Sequence, residues 1–200
     1  LMIPSAFAYT ISDDGTGGDC SSIGTWDSAS RTCTLSGNVN EQITFGSNNI
    51  TLDGNGHSII GPGGSTQDYG ILVNVKTNMI VKNVTVESFY TGIQFFDAYN
   101  SIISNSIVQN NIHEGIDMSN GSTDNTISDS TIRNNGGGGI SVSGTVEIRD
   151  NTISDNQRVG IWCGNCHIHG NLIQSNKESG IDTSSSNNTL IENNIISGNN

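Results

Sequence analysis

The amino-acid sequence predicts an all-β fold, a three-faced solenoid of 20- to 24-residue coils, and three observations carry that expectation. The first is a short pattern that returns six times between Met79 and Asn200. Its first aliphatic rung is Val81, Ile103, Ile127, Ile148, Ile168 and Ile191. Its second is Val86, Val108, Ile132, Ile153, Ile173 and Ile196, and its third is the Ile of a Gly-Ile pair, at Ile71, Ile93, Ile116, Ile140, Ile161 and Ile181. The second observation is negative: the apolar residues never take the i, i+3, i+4, i+7 spacing of a helix face, and the repeat is too short for two packed helices. The third is that residues beside a rung tend to be polar or small, the alternation of a short strand.

Spacings of roughly five, eight and seven residues between rungs predict three short strands per coil, with a bend between each. Stacked coils pair each strand with its equivalent at ~4.8 Å, parallel and in register, so the Ile rungs form an interior column. Three positions after the second rung stands an asparagine column, Asn111, Asn135, Asn156, Asn176 and Asn199, broken only by Phe89 in the first coil. An inward amide at a bend bonds the next amide and the turn backbone, which satisfies groups that a bend leaves unpaired. These are the requirements of a parallel β-helix.

The repeated Asn-x-Ile-x-x-Asn followed by Gly-Ile resembles the right-handed parallel β-helix, pectin-lyase-like superfamily. Ile50-Thr-Leu-Asp-Gly-Asn-Gly-His57-Ser-Ile59, with Gly24-Thr-Trp26-Asp and Cys33-Thr-Leu35 before it, is similar to NosD-like and related surface β-helix proteins. The resemblance spans nearly the whole chain and implies the fold, whereas the superfamily holds lyases, hydrolases, epimerases, copper-associated periplasmic proteins and inert scaffolds. No polygalacturonase-like Asn-Thr-Asp, Gly-His-Gly or Arg-Ile-Lys motif is present. Tyr69-Gly70-Ile71 is similar to the start of an alginate-epimerase motif, but Leu72-Val73-Asn74 stands where Pro-His is expected. No catalytic residue carries over from the resemblance.

In chain order, residues 1–8 end in Ala6-Phe7-Ala8, a small-x-small site that reads as the remnant of a signal peptide, with an apolar first strand as the alternative. Residues 9–38 read as an N-terminal cap in which a Cys20–Cys33 disulfide, worth ~3 kcal/mol for a loop of this size, encloses Trp26 as cover for the core. Residues 39–200 carry the repeats, less regular as far as Ile60, with Ile43, Phe45, Ile50, Leu52 and Ile59 facing inward. His57 reads as a turn residue, and Pro62 to Gln67 as a polar excursion. The sequence stops at Asn200 in mid-coil without a capping segment, which suits truncation of a longer protein or end-to-end self-association.

Composition agrees with export: 13% of residues are charged, and 19 acidic against 7 basic residues give a net charge of -12. That charge repels nucleic acid and anionic membrane surfaces, and no stretch is long and apolar enough to insert in a membrane. An anionic polysaccharide is repelled too, unless a divalent cation bridges it. The localisation expected is secreted, cell-surface or periplasmic. Asn49, Asn83, Asn120 and Asn187 open glycosylation sequons that chance also produces in so Asn-rich a chain.

The candidate sites follow from rung positions. Trp162 follows a third-rung Ile and faces outward in line with Gln94, Asp117, Ser141 and Asp182, a column suited to stacking on a sugar and bonding its hydroxyls. Asp117 and Asp182 lie three coils apart, ~14 Å, too far for glycoside hydrolysis. His113, Glu114, Asp117 and Arg133 form the next group, but Arg133 belongs to the second strand. His167 and His169 flank inward Ile168, so both face outward, ~7 Å apart by strand geometry. With Glu147 or Glu192 they suit copper or zinc, opposed by Arg149. Cys163 and Cys166 occupy inward positions on either side of a Gly164-Asn165 turn, as buried thiols or a disulfide rather than a metal site.

The function expected is a secreted or cell-envelope module, non-catalytic, that binds a polysaccharide or a cell-envelope component or serves as a structural scaffold. The alternatives are a polysaccharide lyase or epimerase acting on an acidic glycan and a NosD-like metal-associated periplasmic protein. The sequence requires no cofactor and admits calcium, copper or zinc.

Overall fold

The structure is a computed structural model that describes residues 8–64, 68–184 and 188–200. It is a right-handed parallel β-solenoid of about 7 turns. All three rung columns are fully buried as far as Ile173, because each strand alternates one side chain into the coil and the next out of it. Ile181 is half-buried, and Ile191 and Ile196 in the last coil are exposed.

Strand pairing is in register from coil to coil. Ile103 lies between Val81 and Ile127, Val108 between Val86 and Ile132, and Ile116 between Ile93 and Ile140. The second-rung strands form a separate seven-stranded sheet from Ser58–Ile60 to Ile195–Ser197. The other two faces merge into one 15-stranded sheet, unlike the three separate short strands expected. Strands Ile140–Arg149 and Ile161–His169 run unbroken from the third rung to the first, whereas Tyr69–Thr77 and Thr91–Tyr99 end short of the first-rung strands Ile80–Lys82 and Ile102–Ser104. The Gly164-Asn165 pair is therefore part of a continuous strand, where the sequence suggested a turn, and the Cys163–Cys166 disulfide spans it from inside the coil.

The other two corners are sharper and share one device. A residue in the left-handed region, Asn105, Asp129 or Asp150 at one corner and Asn110, Asn134 or Asp155 at the other, turns the chain. The residue after it then points inward. Asn and Asp adopt this conformation more readily than other side chains, which accounts for much of the unusual composition. The inward residues form two ladders. One is the expected column, in which Asn156 Oδ1 accepts from the Asn135 backbone N–H at 3.1 Å and from Asn135 Nδ2 at 3.0 Å. Asn156 Nδ2 in turn donates to Asn176 Oδ1 at 2.9 Å and to the Ile132 carbonyl at 3.3 Å. The second ladder, Ser106, Ser130, Asn151, Asn171 and Asn194, repeats the arrangement between first and second rungs.

The parallel ladder reaches back before Val39. Ala8–Ile11 pairs with Gln42–Phe45, and Thr32–Leu35 pairs with Thr51–Asp53, so this stretch supplies solenoid strands without the Asn and Gly punctuation of later coils. Cys20 and Cys33 are joined with their Cα atoms 5.8 Å apart. Trp26 lies opposite Cys33 on an antiparallel hairpin and packs half-buried against the core. Residues 1–7, 65–67 and 185–187, which include most of the signal-peptide reading, part of the Pro62-to-Gln67 excursion and Asn187, lie outside the described residues.

Asn156→Ala removes four hydrogen bonds and strands the buried Asn135 N–H, so chemical denaturation is expected to show a loss of ~2–4 kcal/mol. Asp155→Asn, one position earlier on the exposed side of the same corner, is expected to change stability by less than about 0.5 kcal/mol.

Candidate functional site

The outward column predicted on the third-rung face is assembled by the strand register. Leu72, Gln94, Asp117, Ser141, Trp162 and Asp182 lie side by side on successive strands. The members are not equivalent. Gln94 is only 3% exposed, and its Nε2 donates to Ser119 Oγ at 3.1 Å and to the Phe95 and Asp117 carbonyls at 3.3 Å. Its amide is used within the sheet. Trp162 is half-buried, and Asp182 accepts a hydrogen bond from the Ser184 backbone N–H at 2.8 Å.

A second column runs beside the first, two positions before each Gly-Ile: Tyr90, His113, Gly137, Arg158 and Glu178. Its backbone is continuous, with the N–H of each later member donating to the carbonyl of the one before, at 2.7 to 3.4 Å. Side chains shrink in one coil, at Gly137, Gly138 and Ser141. Gly137 has to lack a side chain, because a Cβ there would lie 2.7 Å from the His113 backbone. The step opens a cleft of about 240 Å³ lined by Glu114, Ser141, Arg158, Trp162, Glu178 and Asp182. On its far side the Tyr90 ring stacks on His113 with centroids 5.0 Å apart, and His113 Nδ1 contacts Glu114 Oε2.

This setting separates the two aspartates electrically. Burial pushes the Asp117 carboxyl up to about 6 against a partial offset from the Gln94 hydrogen bond; the Glu114 charge adds to the rise and His113 works against it. Asp182 is held below the usual carboxylate range, first by the Ser184 backbone N–H. One carboxyl can therefore exchange a proton near neutral pH while the other stays ionised. Arg133 does not join them. Its Nε donates to Gln109 Oε1 at 3.0 Å on the second-rung face, and Gln109 in turn donates to Glu87. His57 sits in a turn closed by its N–H to the Gly54 carbonyl.

The histidine pair occupies the first-rung face. His167 and His169 flank buried Ile168, with ring centroids 4.3 Å apart, closer than the strand spacing because the rings lean together. His169 Nε2 is 3.1 Å from Glu147 Oε1 on one neighbouring coil, and His167 Nε2 is 2.9 Å from Glu192 Oε1 on the other. Arg149 is engaged by Asp150 at 3.0 Å, Asp129 at 3.7 Å and Glu147 at 3.9 Å.

Tyr90, Arg158 and Glu178 were not legible as site residues from the rungs alone. The available signal was their shared offset from Gly-Ile, masked because no residue type recurs there.

The sequence matches the family described as a right-handed beta helix region over residues 10–165 and, overlapping, 69–200. No curated protein matches it significantly. Among solved structures, the A-module of a mannuronan C-5 epimerase from Azotobacter vinelandii superposes with a TM-score of 0.61 at 17% identity, over 97% of this chain and 66% of that one. A periplasmic alginate epimerase gives 0.61 at 12% identity, over 94% and 55%. A pectate lyase gives 0.56 at 15% identity, over 92% and 58%. The chain thus spans 55 to 66% of these structures, and the likeness is one of fold.

Since Asp117 binds its proton more tightly in the folded than in the unfolded chain, its contribution to stability is expected to fall as pH rises from about 4 to 6 and then level off. Asp117→Asn should therefore be more stable than the parent above pH ~6, by up to about 3 kcal/mol before solvent screening, and no different below pH ~4. Denaturation at the two pH values checks this, and a carboxyl NMR titration of Asp117 should show a midpoint near 6.

Proposed function

This chain belongs to the right-handed β-helix family, and on that scaffold we propose a non-catalytic module that binds a polysaccharide along its third-rung face. The observation that carries the reading is the Trp162 indole, half-buried in a cleft beside Ser141, Arg158 and Asp182. An aromatic face takes the apolar side of a sugar ring, and carboxylates and a guanidinium around it bond the hydroxyls. Because the coils repeat every ~4.8 Å, polar groups recur along the axis at a regular interval, which suits a linear polymer of like units.

Charge narrows the ligand. Glu114, Glu178 and Asp182 outnumber Arg158 around the cleft, and the chain as a whole carries -12. A neutral glycan meets no barrier, whereas an acidic one needs calcium between its carboxylates and those of the protein. Two disulfides support an exported protein, secreted, on the cell surface or periplasmic. Among the described residues no helix is long and apolar enough to cross a membrane.

One observation favours a second reading. Asp117, titrating at about 6 beside Glu114 and His113, has the acidity of a general acid or base, which is what a polysaccharide lyase or epimerase requires. Against it, Leu72-Val73-Asn74 stands where the alginate-epimerase motif has Pro-His; the roughly 14 Å between Asp117 and Asp182 excludes only the paired carboxylates of a glycoside hydrolase.

A glycan-array screen with and without calcium, followed by a product assay on each bound polysaccharide, separates the two. Binding without turnover is expected, weakened at least about tenfold by Trp162→Ala, as loss of a central aromatic contact does. Unsaturated or epimerised product, lost in Asp117→Asn, sinks the non-catalytic reading in favour of the enzyme.

A further inference from the structure

We propose that Glu147, His167 and His169 form a binding site for a zinc or copper ion on the first-rung face, independent of the carbohydrate cleft. One donor atom from each lies within 4.8 Å of the others. His169 Nε2 and Glu147 Oε1, at 3.1 Å, already have the separation of two ligands on one ion. Ligands at ~2.0–2.1 Å in tetrahedral geometry sit roughly 3.3 Å from one another, so the third donor closes by up to about 1.5 Å through side-chain rotation. All three are half-buried on strands, which fix the backbone and leave only short side-chain movements to complete the site.

The donor set selects the ion. Two imidazoles and a carboxylate suit zinc and copper, while calcium takes oxygen ligands in larger number. Glu192, 2.9 Å from His167 Nε2, supplies a fourth ligand or orients that ring from the following coil. A depression of about 250 Å³ opens beside the site, lined by Asp124, Thr126, Thr145, Glu147 and His167, and leaves room for water or a small anion on the ion. Arg149 is the opposing charge. It pairs beside His169, but its guanidinium is held by Asp150 and Asp129 and stands 3.9 Å from Glu147 Oε2, the carboxylate oxygen that His169 does not contact.

The placement also gives the ion a structural effect. Glu147 pairs beside His167, so the three donors bridge two consecutive coils, and Glu192, which pairs beside His169, extends the site to a third when it serves as the fourth ligand. With Glu192 bound, the ion ties the strand Leu190–Glu192 to the two coils before it. Binding to the folded chain alone raises its apparent stability by mass action.

Isothermal titration of the intact chain with Zn²⁺ and with Cu²⁺, in excess calcium, tests the site. A single ion per chain is expected, bound at least about tenfold more weakly by the His167→Ala/His169→Ala variant. Arg149→Gln should bind more tightly than the parent, since it removes the repelling charge. The thermal midpoint should rise with Zn²⁺ in the parent and stay put in the double variant, whose circular dichroism confirms the fold. No ion bound by the parent, or equal binding by parent and double variant, overturns the site, and either result leaves the glycan cleft untouched.

Discussion

Everything in this molecule depends on how buried backbone is satisfied at the corners of each coil. A parallel solenoid satisfies its strands through their neighbours, but every bend leaves N–H and C=O groups inside a dry core. The inward asparagines answer this with one side chain per corner, as Asn135, Asn156 and Asn176 each bond the amide above and the carbonyl below. A one-residue slip would break both ladders and turn the Ile rungs outward together, so register and burial enforce each other.

That rigid register turns a position in the repeat into a position in space. Asp117, Ser141, Trp162 and Asp182 line up because Ile116, Ile140, Ile161 and Ile181 do. The scaffold places the functional groups at a fixed rise and leaves chemistry to the substitutions within each column. Where the lining residues are small, at Gly138 and Ser141, the surface recedes into a cleft. Where two imidazoles flank an inward isoleucine, they meet a glutamate on either neighbouring coil. The two faces thus present two separate groups of polar side chains on one core.

The sequence made the rungs legible because burial selects the same residue type at the same position in every coil, as from Ile103 to Ile168. The second asparagine ladder was harder to see, since Ser106 and Ser130 do with a hydroxyl what Asn151 and Asn171 do with an amide. The early strands Ala8–Ile11 and Thr32–Leu35 were hidden for a related reason: they pair like the rest without sharing the corner residues. The alignment of the outward column was also readable, but side-chain environment was not. Register places Gln94 beside Asp117, yet only the structure shows its amide turned into the sheet, and only there does the desolvation of Asp117 become apparent.

The central functional claim is that a sugar ring sits on Trp162, and the chain offers a direct way to watch that residue, since it contains only two tryptophans. In a Trp26→Phe variant, Trp162 is the sole indole emitter. Titrating that variant with the tightest-binding glycan should give a saturable change in Trp162 emission whose midpoint matches the dissociation constant found by calorimetry. Calorimetric binding with unaltered Trp162 emission would contradict the account and place the ligand on another face.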